Sequence, residues 1–506
     1  MASPDRSGSA LLSAMRAEWV ERNGNARERF GFYLYDLGNS CYSTVAIAMY
    51  ILLFLQAIAD EHANGDVDTC SEVDGVSCKS SRQAWSDGTA SCTKDGAPYT
   101  GECRVCIEGE STRLWDGDTG TWRDGDMGGR VNFFGGSVSP FAFASFTLAI
   151  SVAFQAVVFI TTGAWADYGT MRRKGLTVFT LIGCAATTAF LLVLHPSLYW
   201  LGGLLAIVSN CAYGSAVVYY NSYLPLLVDD HPAVAETRAS VSAGGAALAK
   251  HETEREYTEN MISSIGFSVG YVGSVVTVLI SLVPMALSGS GALSELWAYR
   301  INIGVLVGLW WLGWSYFAIK RLGVRPGKPL KSTSVAHLLG LGWRNTCRTI
   351  LLASKYRDTA LFMLMYFFYS DTYSTIASVG ILIARQYACM GPIELVLVMI
   401  EAVLCAMIGN IFYLWLQRRY AIQTKNMICI NLLCYAALCA LGLVGISDAA
   451  PIGLKNKWEF YVFALVHGVQ LGAVQSFSRS LLADLSVPGC EAEFFALYEI
   501  TDKSSS

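Results

Sequence analysis

Five ionisable side chains lie within long apolar runs of this sequence, where water does not reach them freely: Asp36, Asp371, Glu401, His467 and Arg479. A charged group at the centre of a bilayer costs from about 2.5 to more than about 10 kcal/mol, so it normally faces a partner or a wet cavity. A carboxylate so placed can take a proton or a cationic group, imidazole titrates near neutral pH, and guanidinium grips carboxylates in bidentate fashion. Each also has a purely structural reading. Asp36 is either a proton or substrate ligand or a packing hydrogen bond near a membrane interface, and Asp371 lies deeper in its run. Glu401, in Val398-Met399-Ile400-Glu401-Ala402-Val403-Leu404, is the foremost protonatable candidate, because the nearest escape to water is about two helical turns away. His467 is either titratable or held in packing. Arg479 either binds a substrate carboxylate, snorkels to the interface, or pairs with Asp484 or Glu493. Asn39, Tyr42, Tyr220, Gln470 and Gln475 can add hydrogen bonds, and Gln155, Asn210 and Asn410 are further polar residues in apolar surroundings.

The elements that must position these groups are membrane helices. The chain has 506 residues, of which 53% are hydrophobic and 15% charged, against about a quarter charged in an ordinary soluble domain. A helix needs roughly 20 apolar residues to cross the hydrocarbon core, and about ten such runs occur. They lie near 31–59, 138–165, 175–195, 198–227, 262–288, 298–319, 358–384, 393–416, 426–446 and 458–484. The short loops on one side hold Arg172-Arg173-Lys174, a basic linker from Lys320 to Lys355, and Arg418, Arg419 and Lys425. Those on the other side hold only Lys455 and Lys457. By the positive-inside rule the N-terminus is cytosolic, and 1–29 is a cytosolic tail. The net charge of −4 gives no reason to expect a nucleic-acid partner.

A hydrophilic insertion at 60–136 follows the first run on the luminal side and holds Cys70, Cys78, Cys92, Cys103 and Cys106. On the oxidising side of a membrane these are expected to form disulfides. Their number is odd and their connectivity is not readable from spacing. Cys103-x-x-Cys106 alone falls short of the four ligands of a closed zinc site, so no metal and no cofactor are expected.

Two patterns go beyond hydropathy. Tyr35-Asp36 with Tyr42-Ser43-Thr44 in the first run is echoed by Tyr369-Ser370-Asp371 with Tyr373-Ser374-Thr375 in the seventh, as a parallel repeat of two six-helix halves would require. After the second run comes Gly163-Ala-Trp-Ala-Asp167-Tyr-Gly169-Thr-Met-Arg172-Arg173-Lys174. It resembles the signature loop of the major facilitator superfamily, in which Gly163, Asp167, Gly169, Arg172 and Arg173 would form a cytosolic gating loop. The matching loop after the eighth run, Gln417-Arg418-Arg419-Tyr420, is degenerate.

Four segments narrow the resemblance to the autophagy-related vacuole effluxer family (autophagy-related protein 22-like). They are Phe32-Tyr-Leu-Tyr-Asp36-Leu-Gly-Asn39-Ser40-Cys-Tyr42-Ser43-Thr44, then Tyr220-Asn221-Ser-Tyr-Leu224-Pro225, then Ser264-Ile-Gly266-Phe-Ser-Val-Gly270-Tyr271. The last is Gly468-Val-Gln470-Leu-Gly472-Ala-Val-Gln475-Ser-Phe-Ser478-Arg479-Ser480 with Glu491-Ala-Glu493-Phe494-Phe495-Ala-Leu-Tyr498. The resemblance implies an all-α major facilitator fold and export of small solutes, amino acids in the best-known members, from vacuole to cytosol during autophagic recycling. It places Asn221 beside Tyr220 among the candidate site residues. It also implies twelve spans in two halves, 30–320 and 358–506, joined by the basic linker 321–357. With about ten spans legible, the second half is expected to be truncated after the tenth. The alternatives are a proton-coupled carrier of a sugar or organic acid, and a non-transporting receptor or scaffold acting through its luminal loop. No Ser/His/Asp constellation, His-Glu-x-x-His or phosphate-cradling loop points to an enzyme.

Overall fold

The structure, a computed structural model, describes residues 24–64, 129–243, 248–330, 334–386, 390–444 and 456–505, residues 388 and 453–454, and short strands between 76 and 124. Among the described residues nine helices are long and apolar enough to cross a bilayer. They are α1 (Asn25–Ala63), α2 (Pro140–Asp167), α3 (Met171–Leu192), α4 (Pro196–Asp229), α6 (Leu248–Gly289), α7 (Glu295–Arg321), α10 (Ile393–Tyr420), α11 (Thr424–Val444) and α12 (Lys457–Leu485). The seventh expected run forms α9 (Arg357–Gln386), whose centre carries Tyr369-Ser370-Asp371. Three further helices were not legible as such: α5 (Pro232–Ala243), α8 (Val335–Lys355) inside the basic linker, and α13 (Glu491–Ser505). Helix α6 also starts well before its apolar run, at Leu248 rather than near 262.

Local chemistry sets several boundaries. Ser139 caps α2 by accepting from the backbone N–H of Ala142 at 3.3 Å, with Pro140 in the first turn. His195 Nδ1 accepts from the N–H of Ser197 at the start of α4, again just before proline. Glu394 reaches back to the N–H of Gly391 at 2.8 Å to begin α10, which ends on Ala421 in the left-handed conformation. Two wide, π-helical stretches, Tyr42–Ile51 in α1 and Ile301–Val307 in α7, pack against each other.

Apolar residues such as Val178, Leu181 and Ile182 on α3 and Leu397, Leu404 and Ile408 on α10 are exposed, as a bilayer-facing surface requires. With little hydrophobic drive between helices in lipid, close approach rests on small residues. Between α10 and α12 the glycines Gly409, Gly468 and Gly472 lie directly on the backbones of Val469, Ala402 and Ala406. Gly472→Leu should therefore force these helices apart and destabilise the fold by at least about 1–3 kcal/mol. A lower thermal midpoint of the purified protein in detergent checks this, and an unchanged midpoint would contradict it.

In the insertion, β1 (Val76–Lys79), β2 (Ser91–Lys94) and β3 (Ala97–Pro98) form one antiparallel sheet. A second contains β4 (Cys103–Cys106), β5 (Thr112–Asp116) and β6 (Thr121–Asp124). The register sets Cys78 opposite Cys92, and Cys92 is disulfide-bonded. Cys70 and the side chains of Cys78, Cys103 and Cys106 lie outside the described residues. The hairpin β7 (Val131–Phe133) and β8 (Gly136–Val138) closes the insertion. It is moored by Tyr199 of α4, whose hydroxyl donates to the Asn132 carbonyl at 3.0 Å, and by Phe133 against Phe143 of α2.

Candidate functional site

Six spanning helices precede α8 and three follow it with α9 and α13, and the two groups meet along a polar seam. The end of the bundle carrying Arg172, Arg173, Arg325 and Arg418 is called the basic end here, and the opposite one the insertion end.

At the heart of the seam Arg479 of α12 reaches across to Asp36 of α1, Nη1 to Oδ2 at 3.4 Å, with side chains only 4% and 6% exposed. Arg479 Nε donates to Ser263 Oγ at 2.9 Å and Nη2 to the Ser263 carbonyl at 2.7 Å, while Nη1 lies 3.5 Å from Asn221 Oδ1. Its guanidinium carbon sits 4.1 Å from the ring centroid of Phe267, and Phe32 and Tyr220 flank it. The Tyr220 hydroxyl lies 2.7 Å from Asp36 Oδ2, and its ring stacks on Phe32 and Tyr35. Gly266 leaves room for this meeting, since a Cβ there would press on the Asp36 carboxylate and come within 3.1 Å of Arg479 Nη2. Arg479 thus pairs with neither Asp484 nor Glu493. Asp484 instead binds Arg255 at 2.8 Å, and Glu493 accepts from Asn345.

Hydrogen bonds extend the seam in both directions. Tyr271 donates to Gln475 Oε1 at 2.9 Å, Ser263 to the Ser476 carbonyl at 2.8 Å, and Asn410 to Ser268 and the Ser264 carbonyl. Asn260 donates to Thr424 and Gln417 and accepts from Ser480. Asn221 Nδ2 lies 3.5 Å from Glu499 of α13. Beside Asn260, Glu259 is buried, and among the described residues neither of its carboxyl oxygens is hydrogen-bonded.

At the basic end the loop 163–174 makes a second junction. Asp167 pairs with Arg172 at 3.1 Å, and Arg172 also reaches Glu491 at 3.4 Å. The Asp167 carboxylate accepts from the backbone N–H groups of Ala492 and Glu493, at 3.1 and 3.2 Å, where α13 begins. A carboxylate is well placed there, because the first amides of a helix lack intrahelical partners and carry partial positive charge. Gly163 packs against Ala496 of α13, and Gly169 takes the left-handed turn (φ +51°) between α2 and α3. Arg173 does not join this junction; it lines a surface groove with Thr170, Lys174, Thr177, Val178 and Val324. Lys328 Nζ lies 3.2 Å from Cys490 Sγ, and burial pushes the Cys490 thiol up from its ordinary range, with Lys328 opposing that shift. At the insertion end Lys457 pairs with Glu394 at 2.9 Å.

Of the residues singled out from sequence, Asp36, Tyr220, Asn221 and Arg479 converge, with Gln475 further along the same seam. Asn39 is buried one turn beyond Asp36 on α1. Tyr42 donates to Ser209 on α4, Gln470 accepts from Tyr413 at 2.7 Å, and His467 lies buried beside Phe463 and Tyr435, its Nδ1 without a hydrogen bond among the described residues. Glu401 does not join the seam: it is half-buried on the face of α10 that exposes Leu397, Leu404 and Ile408. Asp371 is likewise half-buried, and among the described residues it accepts from Thr375, on its own helix. Of the repeated triplets, Tyr42 and Tyr373 both reach a distant helix, Tyr373 through Asp502 of α13 at 2.6 Å, whereas the acids beside them do not occupy matching surroundings. Ser263, Asn260 and Tyr271 also belong to the seam and are not among the candidates read from sequence.

Two helical groups joined by a polar seam, with an acid–base loop joining them at one end, have the architecture of the major facilitator fold. The same fold is found in the human organic anion transporter MFSD10 (TETRAN), with a TM-score of 0.51 at 13% identity, covering 96% of this chain and 92% of that one. The profile of the family described as "Vacuole effluxer Atg22 like" matches residues 24–506, and the chain belongs to that family. Its relatives include Autophagy-related protein 22-1 of Penicillium rubens, 30% identical over 74% of this chain and 70% of that protein. Autophagy-related protein 22-1 of Aspergillus niger is 27% identical over 96% of this chain and 83% of that protein. The chain is therefore a multi-pass membrane transporter whose surroundings are a lipid bilayer and whose cargo is a small molecule.

Proposed function

We propose that this transporter exports amino acids from a vacuolar-type compartment to the cytosol during autophagic recycling, by alternating access between its two helical groups. The observation that carries this reading is the buried Asp36–Arg479 pair, one charge contributed by each group. Separating a buried pair without replacement leaves uncompensated charge. An amino acid brings an ammonium for Asp36 and a carboxylate for Arg479, so it can replace both partners at once and let the seam part without stranding either. Tyr220, Asn221 and Ser263 remain as hydrogen-bonding partners around the exchanged groups. The family description supports the vacuolar compartment, and the relatives' names support the link to autophagy. The excess of Lys and Arg in the basic-end loops supports a cytosolic N-terminus.

The test is efflux of labelled amino acids from proteoliposomes containing the full chain, with competition by unlabelled amino acids, sugars and organic acids. Saturable efflux competed by amino acids is expected, and an imposed pH gradient reads proton coupling. Flux competed only by a sugar or organic acid would replace the substrate assignment, and no flux of any small solute would sink the transport reading for this chain.

A further inference from the structure

Helix α8 (Val335–Lys355) turns a polar face inward and an apolar one outward. Inward, Asn345 Nδ2 lies 2.8 Å from the Tyr168 hydroxyl and 3.1 Å from Glu493 Oε1, and Thr349 also bonds Glu493. Thr346 donates to the Ile160 carbonyl at 3.1 Å, and Trp165 Nε1 donates to the Leu338 carbonyl at 2.9 Å. Outward, Leu339, Trp343 and Ile350 are 43%, 49% and 51% exposed. Their spacing of four and seven residues puts them on one stripe, and the exposed Arg344 and Arg348 lie alongside it.

The depth of this helix decides what the stripe meets. Ile160 and Trp165 belong to the last two turns of α2, which ends at Asp167. At 1.5 Å per residue, these contacts lie roughly 3–10 Å inside the end of a spanning helix. With the 28 residues of α2 centred in a bilayer, that depth sets the outer face of α8 level with the boundary between headgroups and acyl chains. Helices lying in that plane bury an apolar face in the boundary and flank it with basic residues.

We propose that α8 is an in-plane helix seated on an anionic phospholipid leaflet, with Leu339, Trp343 and Ile350 among the acyl chains and Arg344 and Arg348 on the lipid phosphates. Glu493, held by its inward face, also donates its backbone N–H to Asp167. Lipid binding on one side of α8 therefore bears on the latch between the helical groups on the other.

The test is amide hydrogen exchange of the full chain in nanodiscs of phosphatidylcholine alone and of phosphatidylcholine mixed with phosphatidylserine. Exchange across 335–355 is expected to be several-fold slower in the anionic discs. The double variant Arg344→Glu, Arg348→Glu should lose that difference while keeping its thermal midpoint, and Trp343→Asp should speed exchange in both lipids. Equal exchange of the unmodified chain in the two lipids would overturn the proposal. So would a lipid effect that survives the double charge reversal, or protection that follows the number of chains per disc rather than lipid charge, which would instead assign the face to a second copy. Because the readout is not flux, the outcome is independent of whether the transport reading holds.

Discussion

Asp36→Asn is expected to abolish solute flux and to destabilise the fold by about 3–5 kcal/mol, the usual cost of removing one partner from a buried ion pair. The reason lies in what remains. Arg479 would keep Ser263 and the rings of Phe267, Phe32 and Tyr220, but these supply no negative charge. The double variant Asp36→Asn, Arg479→Gln removes both charges and should recover most of the lost stability, because a neutral replacement for a buried pair is often tolerated. It should not recover flux if the charges bind cargo. The thermal midpoints of the two single variants and the double variant, treated as a cycle, give the coupling between the residues. Coupling near zero would remove the pair from the centre of the seam.

Asp167→Ala is the second large effect. Its carboxylate is fully buried and holds Arg172 together with the first amides of α13. The change leaves Arg172 with Glu491 alone and strips α13 of its cap, a loss on the order of 3 kcal/mol from the cap and the broken pair together. Beyond a lower thermal midpoint, amide exchange at the start of α13 should quicken more than exchange in α3 or α4. Uniform quickening everywhere would mean general destabilisation and no specific latch.

Most of the spans were legible because a bilayer demands long apolar runs, and that demand leaves a mark in sequence whatever the fold. Hydropathy gives depth, however, and not direction around the helix axis. Glu401 shows the limit: its isolation among apolar neighbours is real, but Leu397, Leu404 and Ile408 share its face, and that face is exposed. In water an apolar stripe would mark the core; in lipid it marks the outside just as well, so periodicity could not orient Glu401 or Asp371. Arg479 and Asp36 are each legible individually, yet their meeting depends on two helices far apart in sequence both packing on α6, where Gly266 leaves room for the two side chains. Ser263 and Gly266, which carry no charge to mark them in sequence, are what hold and admit the guanidinium. The basic linker was read from its charge, which concealed the helical spacing of Leu338, Leu341, Asn345 and Thr349 that docks α8.

The insertion has a mechanical consequence. It leaves from the end of α1 and returns at the start of α2, and among the described residues its hairpin is moored to α2 and α4, all on the same side of the polar seam. Any rocking of one helical group against the other carries those moorings as a passenger, without stretching them across the moving joint. A binder gripping this appendage would therefore add drag to one group without clamping the two together.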